Sequence, residues 1–179
     1  MDPLTFHREA LDVAQHIVDD IDQSQFDLPT PCDQWNVRQV LEHMIGGNRR
    51  IAGDPPVGGE DLIGHDLSAA YAAGASAAAG MFEAPGGLDR TFMLSFGEVP
   101  GSVAVRARAT DQLAHAWDLA KATGMSTDLS PEMYASALEL LQQRFAASGR
   151  NPATYAEEQQ PPVGACAADR FAAFAGRRP

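Results

Sequence analysis

A chain of 179 residues, 45% hydrophobic and 21% charged, is long enough to bury a core and short enough to be one domain. Its formal net charge of −11 argues against a nucleic-acid or anionic-membrane partner, since both need a basic footprint. Two cysteines outside any Cys-x-x-Cys pair, no apolar run near the ~20 residues of a membrane span, and an N-terminus without an apolar signal core predict a cytoplasmic protein with free thiols.

Asp2 followed by Pro3 is a helix start, a capping carboxylate and then proline at the first helical position. Leu4, Ala10, Leu11, Ala14, Ile17, Val18 and Ile21 follow at helical spacing, so the first helix is expected to reach about Gln23. Phe26 to Cys32 carries two prolines and reads as a loop. Asn36 with Gln39 forms a capping box, and a second helix is expected from Val37 to about Ala52. Val37, Val40, Leu41, Met44 and Ile51 make its apolar face; Arg38, Glu42 and Arg49 make its wet one. A third, alanine-rich helix is expected over Asp66 to Phe82, until Pro85-Gly86-Gly87 breaks it. Thr91 to Phe96 alternates like a short strand, and Gly97 to Gly101 reads as a turn; a hairpin and an irregular loop both fit. Ser102 is the expected cap of a fourth helix reaching about Thr123, with Gly124 as its stop. Ser130-Pro131 repeats the cap-then-proline signal for a fifth helix to about Ala147, and a short helix is expected near Ala167 to Phe174. The pattern predicts an all-α, up-and-down four-helix bundle in a single domain over residues 1–179. Its core lies at about 1–125, with the extra C-terminal helix and tail at about 126–179.

Chemistry concentrates on the fourth helix. Asp111 and His115 stand four residues apart, which puts them on one helical face and suits two ligands of one divalent metal. His43 on a neighbouring helix could supply a third, leaving a coordination position open for chemistry. Arg108, Asp111, His115 and Asp118 also form a stripe that a solvated polar face would explain equally well. His43 sits at the margin of the second helix's apolar sector, where packing or capping is the commoner role, and Gly47 one turn on would leave space above it. Asp118 is either a fourth ligand, a carboxylate orienting a histidine ring, or a surface partner of Lys121. His7, His16 and His65 have no partner at ligand spacing and read as surface or cap residues. Trp35 and Trp117 read as core anchors. Cys32, beside Pro31 near a helix start, could have a lowered pKa but has no acid–base partner, so it reads as a structural thiol.

The segment Thr30-Pro31-Cys32-Asp33-Gln34-Trp35-Asn36-Val37-Arg38, followed by Leu41-Glu42-His43, resembles the N-terminal motif of the DinB-like superfamily. Asp111 to His115 with Ala116-Trp117-Asp118-Leu119-Ala120 resembles a second motif of one branch, the actinobacterial metal-binding proteins related to the N-terminal domain of mycothiol-dependent maleylpyruvate isomerase. The ending, Asp169 to Pro179, is similar to tails of that branch. The resemblance implies a bundle that binds a divalent metal, often zinc or nickel, through His43, Asp111 and His115. Where this chain has Asp111, the isomerase has a glutamate, and the isomerase carries a further domain after the bundle.

Three functions suit these residues. The first is a mycothiol-dependent S-transferase or isomerase acting through a metal-held thiolate, with mycothiol as the thiol implied by the resemblance. The second is a metal-dependent hydrolase, with Asp118 as the nameable acid–base group. The third is a non-catalytic metal-binding or stress-response module. The resemblance and the small side chains of the third helix also imply a homodimer.

Overall fold

Local capping chemistry sets most helix starts in the computed structural model, which describes residues 1–152 and 154–179. Helix α1 spans Pro3–Asp19, and the Asp2 carboxylate accepts from the Thr5 amide. It ends earlier than its apolar spacing suggests, and a separate 3-10 turn with its own capping box follows at Gln23–Gln25. Helix α2 spans Val37–Ile51 with the Asn36/Gln39 capping box in place. Helix α3 spans Leu67–Glu83, capped by Asp66.

The hairpin is real. Strand β1 (Thr91–Leu94) pairs antiparallel with β2 (Gly97–Pro100), matching Phe92 to Val99 and Leu94 to Gly97. The stretch expected as a turn from Gly97 is thus mostly strand, and the turn falls at Ser95 and Phe96. Helix α4 spans Gly101–Thr123. Ser102 lies inside it rather than capping it, because the chain leaves β2 directly into the helix through Pro100. Gly124 ends α4 in the left-handed conformation, as expected. Helix α5 (Pro131–Ser148) begins at proline without a side-chain bond from Ser130, and α6 covers Ala167–Phe174.

Helices α1 to α4 form the bundle, with α1 packed on α3 and α4 and α2 closing the ring against the same two. Val18, Leu41, Met44, Tyr71 and Leu119 lie in the central core. A second core joins α1 and α4 to α5 and α6 through Phe6, Leu113, Trp117, Tyr134 and Phe171. The hairpin lays Phe92 on Phe82 and Val105 in a third. Helix α4 therefore has neighbours on every side, and it is buried continuously from Gln112 to Ala120. That explains why its sequence shows no clean apolar face: of the stripe expected to be either inward or solvated, Arg108, His115 and Asp118 are inside and Asp111 is partly exposed. Among the described residues no helix is long and apolar enough to cross a membrane.

Candidate metal centre

Helices α2 and α4 bring His43, Asp111 and His115 together. One donor atom from each lies within 4.8 Å of the others. His43 Nε2 stands 3.4 Å and 3.3 Å from the two Asp111 oxygens, and His115 Nε2 stands 3.7 Å from Asp111 Oδ1. A tetrahedral ion with bonds of about 2.1 Å holds its ligand atoms about 3.4 Å apart, so the separations of Asp111 from the two histidines suit one divalent metal, while the bound of 4.8 Å on the whole group leaves the donors to draw closer around it. The donor set, two imidazoles and a carboxylate, is one that zinc accepts. His43 and Asp111 are partly exposed while His115 lies at the floor, so the group opens outward.

Asp111 and His115 are each braced from behind. Arg108 Nη1 donates to Asp111 Oδ2 at 2.8 Å. Arg108 is itself held by the Asn48 Oδ1 acceptor at 3.0 Å, which also accepts from Gln112 Nε2, and Gln112 accepts from the Tyr71 hydroxyl at 2.6 Å. The space above Gly47 is where this guanidinium sits: a Cβ there would lie 2.6 Å from its terminal nitrogens. Burial pushes the Asp111 carboxyl up, but Arg108, with His115 and His43, outweighs it and holds the group well below the usual carboxylate range. Asp111 is therefore an anion throughout the neutral range.

On the other side, His115 Nδ1 meets Asp118 Oδ2 at 3.0 Å. Asp118 is completely buried, and burial alone would raise its pKa. The bond to His115 and the charge of Arg177 outweigh that and lower it. An ionised Asp118 can only accept, so the Nδ1 of His115 carries a proton, and the neutral ring then has its lone pair on Nε2, toward Asp111 and His43. Asp118 is thus neither a ligand in this group nor a partner of Lys121, which is exposed; its partners are His115 and Arg177.

Other sequence expectations move. Trp35 is only half-buried, and its ring lies over His43 at 4.6 Å and near His115 at 5.7 Å, so it forms a wall of the site rather than a core anchor. Trp117 is the core anchor expected. His7 is not on the surface: it is 1% exposed, edge-on to Phe82, with its Nε2 unpartnered among the described residues. The ring it meets, Phe82, lies on α3, a contact that no local spacing reports. His16 and His65 are exposed as expected. Cys32 has its pKa raised, not lowered, by burial and by the nearby Asp118 charge. Both cysteines are free. Arg177, Asn48, Gln112 and Tyr71 carried no readable signal in the sequence, because their partners lie 41 to 64 residues away.

The profile of the mycothiol maleylpyruvate isomerase N-terminal domain family matches residues 7–120, a span that includes His43, Asp111 and His115. Two uncharacterized proteins of Mycobacterium tuberculosis, one from strain CDC 1551 / Oshkosh and one from strain H37Rv, are each 40% identical to this chain over 187 residues, covering 99% of this chain and 98% of the relative. No solved structure matches it.

Proposed function

Because the chain belongs to the family of the mycothiol maleylpyruvate isomerase N-terminal domain, we propose that His43, Asp111 and His115 hold one divalent metal, zinc or nickel, and that the protein is a thiol-dependent transferase or isomerase with mycothiol as co-substrate. The observation that carries this reading is the convergence of the donors on one point, each of Asp111 and His115 braced from behind. When bound, such an ion supplies a position at which a thiol stays deprotonated near neutral pH.

The chain's own residues prepare that position. Asp118 fixes the His115 tautomer so that Nε2 offers its lone pair. Arg108 occupies Asp111 Oδ2 and leaves Oδ1, the oxygen nearer His115, free to serve as a ligand. The Asp111 and Asp118 charges are each matched by an arginine, which weakens their repulsion of an incoming thiolate. Trp35 shields the two rings on one side and limits the approach of water.

A hydrolase is less well supported. Its acid–base candidate, Asp118, is completely buried with both oxygens engaged by Arg177 and His115, so it presents no exposed oxygen to a water in the open site. The test is elemental analysis of the purified protein, followed by calorimetry with mycothiol on metal-loaded and metal-stripped samples. The expected result is one divalent metal per chain and thiol binding that requires it. Thiol binding that survives metal removal would overturn the reading, and a firmly held metal with no thiol binding or turnover would favour the non-catalytic module.

A further inference from the structure

Asp118 sits at the centre of a relay that begins in the C-terminal tail. Its carboxylate is fully buried, and a buried charge persists only when it is paired and hydrogen-bonded. Arg177 supplies the pair with a two-point grip: Nε reaches Oδ1 at 3.2 Å and Nη2 reaches Oδ2 at 3.0 Å. The same Oδ2 accepts from His115 Nδ1. Arg177 is itself largely buried, with 12% of its side chain exposed.

The tail is shaped to deliver this side chain. After α6 the backbone turns tightly, with the Gly176 amide on Ala173 O and the Arg177 amide on Ala172 O. Gly176 has φ +93°, and a Cβ there would stand 2.6 Å from Ala156 O, so only glycine lets the chain pass. Arg177 also lies beyond the 7–120 span of the family match.

We propose that Arg177 is a positioning residue of the donor group: it locks Asp118, and through Asp118 the His115 ring, so that Nε2 faces Asp111 and His43. The C-terminal tail is thus a working part of the site rather than a cover for the bundle. The effect on metal affinity rests on the metal-binding reading above; the effect on the His115 ring does not.

The alternative is that Arg177 only staples the tail down. A second tie between tail and α4, Trp117 Nε1 donating to Asp169 Oδ1 at 2.9 Å, provides the control. Wild type, Arg177→Met, Arg177→Lys, Asp118→Asn, Asp169→Ala and the double variant Arg177→Met/Asp118→Asn would be compared by zinc competition against a chelator, by the imidazole Nδ1–H resonance of His115 in metal-free protein, and by melting temperature. Arg177→Met is expected to weaken zinc about 10–100-fold and to lose the His115 resonance to exchange. It is expected to add little in the Asp118→Asn background. Arg177→Lys keeps the charge without the two-point grip and recovers part of the loss; it also carries the test should the Met variant fail to fold. Asp169→Ala lowers the melting temperature and leaves both site readouts as in wild type.

Wild-type zinc affinity and an intact His115 resonance in Arg177→Met, or in Arg177→Lys if that alone folds, would overturn the proposal. So would an equal loss of zinc in Asp169→Ala. If wild type binds neither zinc nor nickel, the metal reading fails and the resonance decides: lost in Arg177→Met, the clamp stands; unchanged, it falls.

Discussion

His7 and His115 are exposed by only 1% and 5%, yet one ring lies against apolar neighbours and the other closes a chain of charged hydrogen bonds. His7 meets Phe82 edge-on, and its Nε2 has no partner among the described residues. Burial, reinforced by the charges of Arg108 and Arg8, pushes its pKa down to about 4, so the ring stays neutral and serves as packing. His115 has Asp118 behind it and Asp111 and His43 in front. Depth is the same and partners differ, which separates a histidine that fills space from one with a directed lone pair.

The largest effect expected is on the His115 side. His115→Ala removes one of the proposed ligands. If each ligand carries about a third of an apparent binding energy on the order of 10–16 kcal/mol, zinc affinity falls roughly 10³-fold. Chelator competition measures it; affinity equal to wild type would erase the distinction between the two histidines.

His7 gives the next effect, through pH. Its folded pKa of about 4 lies below the ordinary 6.5, so the unfolded chain binds the extra proton between those values. Stability is full above about pH 6.5 and is lost as pH falls toward 4, by about 3 kcal/mol in all. The depressed carboxyls of Asp111 and Asp118 act in a lower window, as pH falls below their unfolded values near 3.8. Urea unfolding of metal-free protein across pH 4–7 measures the slope, and His7→Leu should flatten it. An equal slope in that variant would assign the proton elsewhere.

Two glycines sharpen the contrast on a smaller scale. Gly47→Ala drives a Cβ to 2.6 Å from a guanidinium that Asp111, Asn48 and the Met44 carbonyl hold in place. It should cost about 1–3 kcal/mol and weaken metal binding as well, because Arg108 must release Asp111. Gly74→Ala, in α3, meets nothing nearer than Asn48 Cβ at 3.5 Å. It should stabilise by about 0.5–1 kcal/mol, as an alanine in a helix interior does, without touching metal affinity. Denaturant midpoints and zinc titrations of both variants check the pair.

Much of what depends on neighbours within one turn of chain was legible in the residues alone. Asp2, the Asn36/Gln39 box, Asp66 and Gly124 mark helix ends because each satisfies backbone groups a few residues away. The shared face of Asp111 and His115 follows from helical spacing for the same reason. Tertiary structure alone decided which polar groups are buried and what holds them. Periodicity reports burial only when one side of a helix is wet, and α4 is enclosed over most of its length, so its stripe of Arg108, Asp111, His115 and Asp118 looked no different from a solvated face. The bracing of the site runs between positions far apart in the chain, Arg177 to Asp118 across 59 residues and Arg108 to Asn48 across 60. Such contacts exist only once the helices have packed, since no local rule ties a tail arginine to a carboxylate in the middle of the bundle.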